Sequence, residues 1–164
     1  MTDTLSLLLP APKQADLLEP LSYGAESAAW PRHDLAGSPV ELALIKSLRS
    51  HETEAGGALE LQLEQLSSGS TNPEAYELFA TGSKVIIRAH ETSGIRHAMQ
   101  TLTQWLRINK PGPPCPGLEI SDEPDLRERG VMLDISRDRV PTLSTACQLV
   151  ELLGSCKINR LQLY

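Results

Sequence analysis

From residue 58 the chain reads Ala58-Leu59-Glu60-Leu61-Gln62-Leu63-Glu64, with apolar and polar positions alternating strictly. Side chains of a strand point to opposite faces in turn, so a period of two predicts a half-buried β-strand. The weaker run 74–79 and the run Val85-Ile86-Ile87-Arg88-Ala89 flank Gly82-Ser83, which predicts a hairpin turning near 81–83. The period then changes. Ile95, Ala98, Met99, Leu102, Trp105 and Leu106 recur every three or four residues. They predict a helix over 92–106 whose apolar stripe has the width a core-facing helix needs. A shorter stripe of Val40, Leu44, Ile45 and Leu48 follows Ser38 and Pro39, an N-cap and a first helical residue, and predicts a helix over 40–48. Before it, Pro10, Pro12, Pro20, Pro31 and Pro39 leave room only for short strands.

Beyond the long helix, Pro111-Gly112-Pro113-Pro114-Cys115-Pro116-Gly117 bars regular structure and reads as a surface loop. Leu118-Glu119-Ile120 reads as a closing strand. The elements up to here predict an α+β domain, a small sheet backed by helices, over residues 1–122. Ser121-Asp122-Glu123-Pro124-Asp125 is an acidic turn suited to an inter-domain joint. After it the pattern changes again. Val131-Met132-Leu133 and Ile135 are too continuous for a one-sided sheet, and predict a strand over 130–136 buried on both faces. Pro141-Thr142 opens a helix in which Leu143, Ala146, Val150 and Leu153 share a face, and Gly154 and Lys157 mark its end. Asn159-Arg160-Leu161-Gln162-Leu163-Tyr164 begins another strand. Strand, helix and strand with short joints make one parallel βαβ unit over 123–164. Two such strands alone do not complete a sheet of that kind.

Charge and composition narrow the function classes. Asp and Glu number 21 against 15 Lys and Arg, which argues against a broad nucleic-acid surface, since phosphate binding needs clustered cations. Apolar runs such as Leu7-Leu8-Leu9 fall far short of the ~20 residues a bilayer span requires. The N-terminus has no basic residue before its first apolar stretch and makes a poor secretory signal. Three cysteines, Cys115, Cys147 and Cys156, read as reduced structural thiols, and the expected location is the cytoplasm. The histidines, His33, His51, His90 and His97, lack metal-ligand spacing. His97 stands off the apolar stripe of its helix, which predicts a surface or capping role. No phosphate loop, nucleophile elbow or Cys-x-x-Cys occurs. Neither metal nor cofactor is expected.

Several short runs, in this order, resemble the N-terminal part of the family 20 glycoside hydrolases, the β-N-acetylhexosaminidases. They are Leu9-Pro10-x-Pro12-Lys13, Gly94-Ile95-Arg96-His97-Ala98-Met99-Gln100-Thr101-Leu102, Ile120-x-Asp122-x-Pro124, Arg129-Gly130-Val131-Met132-Leu133-Asp134-Ile135-Ser136-Arg137 and Lys157-Ile158-Asn159-Arg160-Leu161-Gln162-Leu163. Asp138-Arg139-Val140-Pro141 and the ending Leu161-Gln162-Leu163-Tyr164 are most similar to the cytosolic hexosaminidase D branch. The resemblance implies that 123–164 are the first strand, helix and second strand of a truncated (β/α)8 barrel, whose active site lies at the C-terminal strand ends. It implies that Arg137 hydrogen-bonds hydroxyls of a terminal N-acetylhexosamine, because a guanidinium offers a planar fork of donors. On spacing alone Arg137 reads as an ion-pair partner of Asp134 or Asp138 at a strand end, and it is the resemblance that turns it toward the sugar. Asp134 has three readings: it orients Arg137, accepts a sugar hydroxyl, or caps the loop before Pro141.

The family's chemistry rests on an adjacent Asp-Glu pair on a later barrel strand. Its Glu protonates the leaving oxygen, and its Asp holds the acetamido group that attacks the anomeric carbon. The adjacent pair in this chain, Asp122-Glu123, stands before the first barrel strand, so no catalytic residue is assigned. The expectation is a glycosidase whose partner is an N-acetylhexosamine-terminated glycan, with these 164 residues inactive alone. The uncovered barrel strands predict self-association. The alternative is a free-standing, non-catalytic α+β module that supports or binds a carbohydrate or protein partner.

Overall fold

The computed structural model describes residues 4–21, 60–66, 70–109, 115–137 and 140–164. The helix expected over 40–48 lies outside these residues, as does most of the Pro-rich loop. The chain divides into two compact units, Met1–Glu123 and Pro124–Tyr164. The architecture is α+β.

In the first unit a 3-10 turn, Thr4–Leu7, leads to β1, Gln14–Leu18. There follow β2, Glu60–Gln65, β3, Tyr76–Thr81, β4, Lys84–Ala89, the helix α1, Thr92–Ile108, and β5, Gly117–Asp122. The five strands form one sheet in the order β1-β5-β3-β4-β2. Thr81 pairs with Lys84, so Gly82-Ser83 is a two-residue turn, with Gly82 at φ 53°. That left-handed backbone closes a hairpin in line with the twist of its strands. β2 runs parallel to β4, with Leu61 opposite Val85 and Leu63 opposite Ile87. A parallel pair needs a long crossover rather than a tight turn.

Alternation puts Tyr76, Leu78, Ala80, Val85, Ile87 and Ala89 on one face, where they are buried with Leu118 and Ile120. The stripe of α1 packs against β3 and β4 and buries Ala98, Leu102, Trp105 and Leu106. Trp105 Nε1 donates to Pro116 O at 2.8 Å, so the indole fills the core with its polar atom satisfied. Gln104 clamps the N-terminal segment: Leu9 N donates to its Oε1 at 2.9 Å, and its Nε2 donates to Leu9 O at 2.7 Å. That seats Leu8 in the core. Cys115 is buried too, and burial pushes its thiol up to about 11, which keeps it protonated and unreactive at neutral pH.

His97 departs from its expected surface role. It is buried, 3.6 Å from the carboxylate of Glu74, and one turn on Thr101 Oγ1 donates to its carbonyl. The buried face of α1 also takes in Gly94 and Thr101. It is therefore wider than its apolar stripe, with Glu74 opposite His97 and Tyr76 Oη of the sheet 2.8 Å from Thr101 Oγ1.

The acidic joint also differs from a solvated turn. Strand β5 runs on past Ile120 to Asp122. Asp122 Oδ1 accepts from Lys13 N at 3.2 Å, and its Oδ2 accepts from Tyr76 Oη at 3.1 Å. Glu123 accepts from Ser70 Oγ and pairs with Lys13 Nζ at 3.4 Å. Both carboxylates are thus bound within the first unit. Burial, followed by the Asp122 charge, raises the Tyr76 phenol well above its usual range.

The second unit contains β6, Gly130–Leu133, the helix α2, Leu143–Ser155, and β7, Arg160–Leu163. β6 and β7 pair in parallel, Val131 opposite Leu161 and Leu133 opposite Leu163. The regular strand stops at Leu133, short of the expected 136. Val131 is 39 % exposed and Met132 63 %, although their continuous apolar run predicts burial on both faces. Two strands and one helix supply too few neighbours within this unit to cover them. Among the described residues no helix is long and apolar enough to cross a membrane.

Candidate functional site

The candidate residues lie where β6 ends. Its N-terminal end is tightly tied: Arg129 N donates to Asn159 Oδ1 at 2.9 Å, and Asn159 Nδ2 donates to Arg127 O at 2.8 Å. Arg129 Nε donates to Lys157 O at 2.8 Å and its Nη1 to Leu126 O at 2.6 Å. These bonds account for Arg129 and Asn159 as scaffold residues at the end remote from Arg137. Thr142 caps α2, its Oγ1 accepting from Thr145 N at 3.2 Å. At the other end Lys157 takes φ 59°, with Lys157 N bonded to Gly154 O and Ile158 N to Leu153 O. That is a Schellman stop, and it turns the chain into β7.

At the C-terminal end the parallel ladder outlasts the regular strands. Tyr164 N donates to Leu133 O at 3.0 Å and Ile135 N to Tyr164 O at 2.8 Å. The backbone then bends at Ser136 and Arg137. Asp134 Oδ1 accepts two bonds from one residue, Ser136 N at 2.8 Å and Ser136 Oγ at 2.5 Å. Donors gathered on an ionised carboxylate favour its charged form. The Ser136 hydroxyl, then its backbone N–H, hold the Asp134 carboxyl below the ordinary range.

Arg137 is exposed, and among the described residues it forms no ion pair with Asp134. Asp138 and Arg139 lie outside the described residues. Asp134 and Arg137 therefore stand on one loop, but the carboxylate faces Ser136. Ser136 is the member of this loop that residue-type reasoning passed over. Its signal was the Asp-x-Ser spacing, in which a short carboxylate reaches the N–H two residues on. Among the described residues no group of three or more His, Cys, Asp or Glu could hold a metal.

The same arrangement of elements recurs in solved structures. A family 20 β-N-acetylhexosaminidase from Streptomyces coelicolor matches 97% of this chain with a TM-score of 0.76 at 24% identity. A variant β-hexosaminidase from Streptomyces plicatus, solved with its product N-acetylglucosamine, matches 98% with a TM-score of 0.74 at 25% identity. A chitobiase from Flavobacterium johnsoniae matches 99% with a TM-score of 0.75 at 20% identity. The chain spans 34%, 34% and 27% of those proteins, about a third of their length or less. The family model described as glycosyl hydrolase family 20, domain 2, matches residues 22–123, well over half of the chain. With that match over the α+β unit, this chain belongs to glycoside hydrolase family 20.

Proposed function

We propose that the chain is the N-terminal part of a β-N-acetylhexosaminidase, of the cytosolic hexosaminidase D branch. In this reading 1–122 are its α+β domain and 123–164 the opening strand, helix and strand of its (β/α)8 barrel. The carrying observation is Arg137: an exposed guanidinium, not paired with Asp134, just past the C-terminal end of a parallel strand. Barrel enzymes build their active sites at that end. The parent enzyme removes terminal N-acetylglucosamine or N-acetylgalactosamine by attack of the substrate's own acetamido oxygen, with Arg137 holding sugar hydroxyls.

Asp122 and Glu123 are bound to Tyr76, Lys13 and Ser70, which supports reading them as structural and the 164-residue chain as inert alone. Two measurements on the purified chain test this reading. Release of nitrophenol from 4-nitrophenyl N-acetyl-β-glucosaminide would show catalysis and overturn the inert assignment. In an NMR titration N-acetylglucosamine should shift resonances of 134–137, and Arg137→Ala should weaken the response about tenfold or more. Hydrogen bonds to a charged group are worth ~1.5–3 kcal/mol. A titration that leaves 134–137 unmoved removes Arg137 from the sugar site.

Val131, Met132 and Leu163 are exposed on the open two-stranded sheet, and such faces with unpaired edges favour association. Light scattering on this chain should therefore give a mass above that of one copy. A clean monomer at high concentration counts against association through these strands.

A further inference from the structure

Two anchors stand immediately before Arg137. The ladder bond from Ile135 N to Tyr164 O fixes residue 135 on the sheet, and both donors of Ser136 converge on Asp134 Oδ1. A sugar ligand needs a lone pair aimed outward and a donor arriving from solvent. Here one carboxylate oxygen is already filled from within the loop. An ion-pair partner of Arg137 would instead face the guanidinium, and Asp134 forms no such pair among the described residues.

We propose that Asp134 is a positioning residue that acts on Arg137 through Ser136, fixing where the backbone leaves β6 and so where the guanidinium is presented. This deepens the proposed function and rests on its assignment of Arg137 to the sugar. The geometry separates roles that residue type leaves open. Loop ordering uses the bonds that are made. Direct sugar binding would rest on the other oxygen, and charge pairing would need a contact that Asp134 and Arg137 do not make. A loop held at two successive residues loses little further freedom when a ligand arrives, which raises affinity without a new contact.

The whole 164-residue chain provides the test. In Asp134→Ala the Ser136 amide proton should move upfield and the heteronuclear NOE of 136–137 should fall, because the anchor is lost. Asp134→Asn keeps an acceptor oxygen at the same place and should restore both. Affinity for N-acetylglucosamine should fall between about twofold and tenfold in Asp134→Ala, the range of an ordinary hydrogen bond. Asp134→Asn should recover it. In an Arg137→Ala background, Asp134→Ala should cost nothing further, since a residue acting through Arg137 has nothing left to position.

An undiminished cost in that background makes Asp134 a direct ligand and overturns the inference, with Arg137 still in the site. An unchanged Ser136 amide and NOE in Asp134→Ala overturn it independently of any sugar. If the wild-type 134–137 resonances ignore N-acetylglucosamine, the sugar assignment of Arg137 fails. The amide and NOE data then decide the loop-anchoring role by themselves.

Discussion

Gly117→Ala is expected to strip β1 from the sheet and to cost more than the ~1–3 kcal/mol typical of overpacking. A Cβ at Gly117 would stand 2.1 Å from Glu19 O and 2.8 Å from Ala80 O, both backbone atoms. Neither can swing aside as a side-chain end could. Gly117 is also paired with Leu18 at the end of β1, so relief of the clash must pull β1 off β5 or bend β5 away from β3. Against a total of ~5–15 kcal/mol for a domain, either loss is a large share. Gly82→Ala is the informative comparison. There a new Cβ meets nothing within 4 Å, and only the φ of +53° resists it, a cost of roughly 1–2 kcal/mol. Urea unfolding should therefore give a midpoint much lower for Gly117→Ala than for Gly82→Ala. Equal midpoints would show that the β1–β5 contact is not as close as described.

Trp105→Ala should cost about 3–5 kcal/mol, the range for deleting a large buried aromatic side chain. Trp105 is 0 % exposed and sits among Leu102, Leu106 and the sheet residues of the core. Its indole N–H holds Pro116 O, which fixes the approach to β5. The cavity and the loss of the indole bond both follow from one substitution, which leaves Pro116 O with the weak Cys115 thiol donor at 3.6 Å. Trp105→Phe divides them: most of the apolar volume stays, and Pro116 O loses its indole donor, an ordinary hydrogen bond worth ~0.5–1.5 kcal/mol. Calorimetric unfolding should rank wild type above Trp105→Phe and Trp105→Ala lowest. A loss under about 1 kcal/mol for Trp105→Ala would contradict a Trp105-centred core.

How much of this was legible depended on the range of the interaction involved. The β3–β4 hairpin and α1 follow from patterns complete within a short window: a two-residue turn between alternating runs, and a stripe repeating every three or four residues. The pairing of β2 with β4 does not, because an alternating strand carries no label for its partner or direction. Burial of His97 was equally hidden. A polar residue beside an apolar stripe is buried or exposed according to what lies opposite, and here Glu74 comes from another segment. The bonds of Asp122 and Glu123 depend on Lys13, Ser70 and Tyr76, which are distant in the chain. For the candidate site, the resemblance to family 20 pointed to Arg137 at a strand end, with Asp134 beside it, and left the direction of the carboxylate open.

By itself, then, the order of residues determined the α+β class, the hairpin, the long helix and the short runs characteristic of family 20. Each of these is written in local periodicity or in motifs read without coordinates. Only the tertiary structure decided which strands pair and which polar groups are buried, whereas the bond from Ser136 to Asp134 is local and its Asp-x-Ser spacing stands in the sequence. Strand pairing and polar burial turn on distances of a few ångströms between groups whose separation is set by chain closure and packing, and no periodicity along the chain encodes them.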